Sequence, residues 1–598
     1  MANEYISVRN LKFLLHECLN APARLSQSAY YADYNAETLD MITDAAKQIG
    51  DTVLHPYFTE MDRSHPELHE GEVKVHPQLK VAIQTFAESG WIGANATYEE
   101  GGMQMPRVMH AIGSLIFYAA NVSGSTYVFL TQGAANLIRC FGNQQLKSAY
   151  IPKMYSGEWQ GTMALTEPQA GSSLGDITSA AEPTDDGYYK IKGQKIYISG
   201  GDHDAVDNVV HLMLARIKGA PAGIKGISLF VVPKKRLENG TLVANDVTTA
   251  GLFEKMGCGS YVAAHLMMGE QDDCRGWLVG EPNKGLSYMF QMMNEARLGT
   301  GFVAAGNASA AYYASLQYAR ERSQGRHPSN KDASLPPVLI IEHADVKRML
   351  LFQKSVVEGS IALLLMCSYF ADLELVAEGQ EKARAQLLLE LLTPIAKTYP
   401  SEMGIQSISA GLQCLGGAGY CKDFPLEQLY REVRINAIYE GTTGIQAMDL
   451  LGRKVMMENG AAAKAFFKEV AEDIKRQSDP RVLPYAKMLA ESLGQLQQVT
   501  MHLAGLGMKQ TPEIFLADAT LYLEYFGTVV IAWMWLLQGE KAAAALSQAS
   551  GSEVAFYESK LATMKYFMEY ELPKTLGLHK RLINDDKFTA DLPSDFIV

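Results

Sequence analysis

Apolar residues recur three and four apart through about the first 160 residues of this chain, lose that spacing between about 162 and 282, and regain it from about 284 onward. The early helical period shows in Leu39, Met41, Ile42, Ala45 and Ile49, and again in Leu79, Val81, Ala82 and Phe86. In the middle stretch short alternating or β-branched runs take over, at 188–191, 195–198, 209–214 and 227–232. Turn residues separate them: Asp186-Gly187, Gly200-Gly201, Pro221-Ala222-Gly223 and Asn239-Gly240. Strands at this spacing, with no helical pattern between them, predict an antiparallel β-domain and not βαβ units. Long helices follow over 286–322, 338–375 and 385–415, with a loop around 327–337, and more helices over about 458–575. The expected fold is mostly α with a central antiparallel β-domain. Four parts are expected: an N-terminal helical domain (1–161), a middle β-domain (162–283), a C-terminal four-helix-type bundle (284–457) and an additional helical domain (458–598).

Charge and cysteine usage narrow the function. A formal net charge of −13 argues against sequence-independent nucleic-acid binding, which needs a basic footprint. Residues 461–598 hold 14 Lys and Arg against 17 Asp and Glu, so the last part is not a basic module either. The seven cysteines are scattered, odd in number and without a CxxC pair, which suits free thiols in a reducing compartment and no metal site. The N-terminal stretch is interrupted by Glu4, Arg9, Lys12, His16 and Glu17, and no signal segment is read in it. The longest apolar run, 526–537, contains Gly527 and Thr528 and is too short to span a bilayer. A buried helix with Trp533 and Trp535 in the core is expected instead, and the protein is expected in the cytoplasm with no transmembrane segment.

Four segments stand out chemically. The first, 163–173, runs Met-Ala-Leu165-Thr166-Glu167-Pro168 into Gly171-Ser172-Ser173, where helices give way to strands. Its hydroxyls and backbone N–H groups could bond a planar, acceptor-rich ring or a phosphate, although a structural turn is the plainer reading. The second, Tyr197-Ile198-Ser199 before Gly200, offers an aromatic at a strand end. The third, Gln413-Cys414-Leu415-Gly416-Gly417-Ala418-Gly419, reads as a helix C-cap and loop; no strand precedes it, so it is not a dinucleotide fingerprint. The fourth, Ile438-Tyr439-Glu440-Gly441-Thr442-Thr443-Gly444, sets a carboxylate before a glycine at a helix start. An isolated glutamate is usually a surface charge or a cap. Here Ile438 and Tyr439 would be expected to draw the segment inward, and Gly441 would let backbone approach a ligand.

Together, in this order, these segments resemble the acyl-CoA dehydrogenase family over about residues 35–455. The length, the added C-terminal helices and the segment 5–13 resemble the long branch of that family. The resemblance implies FAD as cofactor, an acyl-CoA substrate (3-methylmercaptopropionyl-CoA or another short, medium or long thioester), and electron-transfer flavoprotein as electron acceptor. It implies that Glu440 is the catalytic base, that Leu165 and Thr166 bond the flavin ring, and that Ser172 contacts FAD or the CoA moiety. Tyr197, Ile198 and Ser199 match a flavin wall, with Tyr in place of Trp. Arg322, and Gln413 with Gly416 and Gly417, match contacts to the FAD of a neighbouring subunit, which implies a homodimer or larger homo-oligomer. Thr442 and Gly444 match a phosphate-side contact, while Arg297 and Gly441 fall on the substrate side. The chain departs from the family pattern at Gln324-Gly325, which a longer loop follows, at His343-Ala344, and at Asn294.

Desaturation of a thioester needs a partly desolvated carboxylate to take the α-proton and donors for the enolate oxygen, while the β-hydride goes to the flavin. Two other readings remain: an acyl-CoA oxidase that passes electrons to O₂, and a family member turned into a non-metabolic regulator, which the acidic C-terminal part disfavours.

Overall fold

The computed structural model describes residues 4–597, without the side chains of residues 290–293. The chain packs into two compact units. One takes residues 45–105 and 116–296; the other takes the residues up to 44, 106–115 and those from 297 on.

The first of these holds the strands. A short hairpin, β1 (Glu67–His69) and β2 (Glu72–Lys74), turns through Glu70 and Gly71, both at positive φ. Three-residue strands with only Val73 buried leave no alternation by which they could be expected. The main sheet is built from β3 (Trp159–Ala164), β4 (Ala180–Pro183), β5 (Tyr189–Ser199), β6 (Asn208–Ile217) and β7 (Ile227–Pro233). A side ribbon, β8 (Lys235–Glu238) with β9 (Thr241–Ala244), precedes β10 (Val247–Leu252), β11 (Ala263–Met268) and β12 (Arg275–Val279). The sheet order is β10-β11-β5-β12-β7-β6-β3, with β4 beside β5 and β6. Most pairings are antiparallel, as the turn spacing predicts, but β3 and β4 each run parallel to β6. A parallel partner needs a long crossover, and the chain between β3 and β6 supplies one.

Every residue of β7 and the first eight of β6 are buried, the continuous apolar run of strands covered on both faces. Helices α1 (Gln78–Glu88), α2 (Val122–Phe141) and α3 (Gln144–Tyr155) belong to the same unit. Asn121 and Asn143 cap the last two, accepting the N–H groups of Gly124 and Leu146. Ala134, Ile138, Leu146 and Met154 from these helices pack on Val210, Leu212, Leu214, Leu229 and Val231. At Gly161 of β3 a Cβ would lie 2.6 Å from the Ala134 Cβ, so only glycine admits the helix this close.

The other unit is helical. It takes α4 (Gly285–Glu321) from Arg297 on, α5 (Ala344–Val376), α6 (Gly379–Leu415), α7 (Leu426–Val433) and α8 (Thr443–Asp449). Helices α9 (Met457–Arg476), α10 (Leu483–Gly507), α11 (Ala519–Leu546) and α12 (Ser552–Tyr566) pack into it as well. Trp533 and Trp535 of α11 are buried, and their indole N–H groups donate to Asp473 of α9 (2.7 Å) and to the Ser355 carbonyl of α5 (3.0 Å). Two helical stretches, Ala344–Val376 and Pro512–Leu546, are long and apolar enough to cross a membrane by length and composition. Their apolar windows are 89% and 56% buried inside the chain, as in core helices. The run 526–537, too short by itself, lies inside this longer stretch, whose flanking residues extend its apolar window. The loop between α4 and α5, where the sequence departs from the family, is closed by backbone bonds between Gln324 and Val338 and between Val338 and Gly325.

Candidate active site

Glu440 lies on a sharp bend between a 3₁₀ turn (Arg434–Ala437) and α8. Its φ is +54° and that of Gly441 is +84°, two successive residues in the left-handed region. For a glutamate this conformation is uncommon and is kept only where surroundings enforce it. The fully buried Gln446 does so from within α8: its Nε2 donates to the carbonyls of Glu440 (3.1 Å) and Gly441 (3.3 Å). Thr442 caps the helix by accepting the Ile445 N–H. Ile438 and Tyr439 direct their N–H groups to the Ile435 carbonyl, whereas among the described residues no chain acceptor takes those of Glu440 or Gly441. The bend thus presents a carboxylate beside two uncommitted N–H donors.

The side chain of Glu440 is half-buried, and burial is the largest influence on its carboxyl, pushing its pKa above the ordinary glutamate value. Lys397 and Arg297 oppose that push without cancelling it. Arg297, on α4, is buried and donates to Asp449 at 2.7 Å. Lys397, in the middle of α6, is buried and donates to the Asn436 carbonyl at 2.6 Å.

In the other unit the loop after β3 is gripped by β5. The Lys195 ammonium donates to the Leu165 carbonyl (3.0 Å) and to Glu167 (2.8 Å), and the Ile196 N–H donates to the Thr166 carbonyl (3.0 Å). Because a trans peptide sets C=O and N–H on opposite sides, the Thr166 N–H is turned away from Lys195. Glu167 is buried and also accepts from the Thr178 N–H and hydroxyl and the Ser179 N–H. Burial pushes its carboxyl up, but these donors and Lys195 outweigh that and hold it down at about 2. Beyond Lys195 the pairing of β5 with β11 shifts register, and Tyr197 takes a φ of +58°. Strand alternation would have turned Tyr197 to the same side as the buried Lys195; the bulge re-aims it, leaving it 59% exposed with its ring 4.3 Å from Phe253.

Residues 36–158, 162–268 and 339–456 match in turn the N-terminal, middle and C-terminal domains of acyl-CoA dehydrogenase, and residues 466–593 match an acetyl-CoA dehydrogenase C-terminal-like domain. The chain belongs to the acyl-CoA dehydrogenase family. It is 34% identical to a butyryl-CoA dehydrogenase of Syntrophomonas wolfei, covering 99% of each chain. It is 35% identical to the 3-methylmercaptopropionyl-CoA dehydrogenase of Ruegeria pomeroyi, covering 98% of this chain and 99% of that one. Among solved structures, an acyl-CoA dehydrogenase from Bacillus anthracis complexed with FAD matches with a TM-score of 0.73 at 20% identity, over 96% of this chain and 91% of that one. The helical, β and helical order with an added C-terminal helical part is therefore the acyl-CoA dehydrogenase fold, carried by an oxidoreductase family.

Within this acyl-CoA dehydrogenase-family chain the expected site residues fall into three groups. Glu440, Gly441, Thr442 and Gly444 share one bend and helix start, with Arg297 close enough to act on the Glu440 charge. Leu165 and Thr166 are tied to the strand that carries Tyr197, Ile198 and Ser199, and Ser172 is exposed farther along the same loop. Arg322 is exposed at the end of α4, and Gln413, Gly416 and Gly417 are exposed at the end of α6, where Gly416 has a φ of +60°. A Cβ on Gly417 would meet nothing of this chain within 4 Å, so no contact of its own requires glycine there. Lys195, Lys397 and Gln446 were not singled out from sequence. Lys397 stands in the mixed stretch Ile395-Ala396-Lys397-Thr398-Tyr399 between Pro394 and Pro400, which does not mark it as buried.

Proposed function

We propose that this protein is an FAD-dependent dehydrogenase of short acyl-CoA thioesters in which Glu440 takes the α-proton. The observation that carries this reading is the Glu440 bend: a carboxyl made more basic by burial, beside two N–H groups without acceptors in the chain. A base whose pKa lies nearer the working pH is better matched to a weak carbon acid. As the proton leaves, charge builds on the thioester oxygen, and the Glu440 N–H is a donor poised to receive it. Arg297, paired with Asp449, keeps a fixed positive charge near the same point.

The remaining residues fit a flavin dinucleotide. The Thr166 N–H, turned outward by the grip of Lys195 on the preceding carbonyl, suits a ring acceptor, and the re-aimed Tyr197 offers a flat face. Arg322 and Gln413 are exposed donors, and the open space at Gly417 suits close approach by a second copy of the chain. When bound, FAD supplies the hydride acceptor, so the β-hydrogen leaves as the α-proton does and a 2,3-enoyl-CoA results. Electron-transfer flavoprotein as acceptor, a homodimer as the working unit and a cytoplasmic location complete the reading. The two relatives named for butyryl and 3-methylmercaptopropionyl thioesters favour short, unbranched substrates.

Two substitutions probe the supports. Replacing Lys195 with methionine removes the donor to the Leu165 carbonyl and leaves Glu167 buried beside an apolar side chain. FAD affinity is expected to fall about tenfold to a hundredfold, a loss of roughly 1–3 kcal/mol, read by equilibrium dialysis against free flavin. Replacing Gln446 with leucine leaves two carbonyls of the bend without their donor, at about 1–3 kcal/mol. There kcat/KM is expected to fall about tenfold or more while flavin content stays at the wild-type level. The reading as a whole is tested with a panel of acyl-CoA thioesters and an artificial electron acceptor. Butyryl-CoA and 3-methylmercaptopropionyl-CoA should bleach the flavin under anaerobic conditions and head the ranking. Absence of bleaching with every thioester would refute it, and stoichiometric peroxide release in air would assign the protein to the oxidases.

A further inference from the structure

Resting on Glu440 as base, we propose that Lys397 is a positioning residue that both anchors the turn leading into Glu440 and serves as the counter-charge that keeps this carboxylate ionised. Lys397 is 0% exposed, and α6 carries it into the unit's interior between Ile395, Ala396 and Tyr399, all buried. Its ammonium donates to the carbonyl of Asn436, the third residue of the 3₁₀ turn Arg434–Ala437 and four residues before Glu440. A lysine that only packed there would have no reason to end on that carbonyl. Asn436 is itself fully buried, and Lys397 holds the turn at that carbonyl, while the Thr443 hydroxyl donates to the Ala437 carbonyl and the Tyr439 hydroxyl to the Asn436 side chain.

Charge balance points the same way. A buried ammonium facing only a neutral carbonyl is costly, so it needs an anion nearby. The charged groups acting on Lys397 are Glu440, Glu402 on its own helix, and Arg297 on α4. Glu402 accepts the hydroxyl of Thr443 from α8. Arg297 is balanced by Asp449, which also pairs with Arg453, and so has an anion of its own. Glu440 has none but Lys397, because among the described residues no side chain donates to its carboxylate, and the two cations acting on it are Lys397 and Arg297. The partition is then Arg297 with Asp449, and Lys397 with Glu440 first and Glu402 second. Burial draws Lys397 down to about 8 and raises Glu440, each toward its neutral form, and each holds the other in the charged one.

The consequence for turnover is specific. A glutamate buried without a partner stays protonated far above its ordinary range and is useless as a base at neutral pH. Lys397 limits that rise, so the carboxylate is basic and still ionised. Removing the positive charge must therefore move the acid limb of kcat/KM to higher pH, since this profile reports ionisations of the free enzyme.

The test uses the purified FAD-loaded enzyme as wild type and as Lys397→Met, Lys397→Gln and Lys397→Arg, with Glu440→Gln alongside. Glutamine keeps a donor for Asn436 without the charge; arginine keeps the charge. The acid limb is expected to rise by about one unit or more in the methionine and glutamine variants, with the high-pH plateau largely kept in the glutamine variant and lowered in the methionine variant, which also loses the anchor on Asn436, and to stay near wild type in the arginine variant. An unmoved limb in a flavin-loaded Lys397→Gln enzyme would overturn the counter-charge role. Failure of both neutral variants to hold flavin while Lys397→Arg holds it would assign the residue to the fold alone, and overturn it too. If Glu440→Gln remains active, the base assignment itself fails, whatever the lysine variants do.

Discussion

Glutamine in place of Glu440 is expected to lower turnover about 10³-fold or more while leaving the FAD content of the purified protein unchanged. A positioned general base contributes typically 10²–10⁴-fold, and the neighbouring carboxylate, Glu402, is already engaged by the Thr443 hydroxyl. The side chains are of one size, so packing around Gln446 and Thr442 is kept and only the proton acceptor is lost. Parallel assays of turnover and of the flavin-to-protein ratio separate the two effects. Retention of more than about a tenth of wild-type turnover, with flavin bound, would remove Glu440 from the chemistry. Loss of flavin together with turnover would show that the residue holds the site together and does no more.

The second large effect concerns stability. Lys560 of α12 is fully buried and donates to Asn10 near the N-terminus, to Glu358 of α5 (2.8 Å) and to Gln538 of α11 (2.9 Å). Its ammonium lies 4.9 Å from the Phe13 ring centre and 5.7 Å from that of Trp535. One side chain thus joins the N-terminal segment, the bundle and the added C-terminal helices. Lys560→Met should cost about 3–5 kcal/mol, because Glu358 and two amides lose a partner in the interior. Among the described residues Lys354, 3.1 Å from Glu358, is the other cation paired with it. The thermal midpoint should drop by several degrees. Restoring apolar balance with Glu358→Leu in the same chain should recover part of the loss. A midpoint within a degree of wild type would show that the network adds no net stability.

What could be read from the residues alone was what depends on periodicity and punctuation. The helices of 286–322 and 385–415, the strands at 195–198, 209–214 and 227–232, the cap at Gly416 and the helix start after Glu440 all have local signals, and the structure has them within a few residues. The parallel pairing of β3 with β6 has no local signal, because it depends on where a crossover ends. The bulge at Tyr197 breaks the very alternation by which a strand is recognised. Lys195 and Lys397 look from sequence like ordinary surface charges; only the tertiary neighbours Glu167, Glu440 and two backbone carbonyls explain their burial. Gly441 could be read as a point of close backbone approach to a ligand. The left-handed turn of Glu440 itself could not, since it is enforced by Gln446 from the following helix. The residues proposed for the chemistry thus stand in segments that could be picked out by their motifs, and Lys195, Lys397 and Gln446, which support those segments, do not.

Proton removal can be measured apart from hydride loss with acetyl-CoA, which has α-hydrogens and no β-carbon. Incubated in D₂O with the flavin-loaded protein, it should gain deuterium at the methyl carbon well above the enzyme-free blank, and Glu440→Gln should bring the exchange back to the blank. Exchange at the wild-type rate in that variant, or none with the wild type, would contradict the assignment of Glu440 as the base.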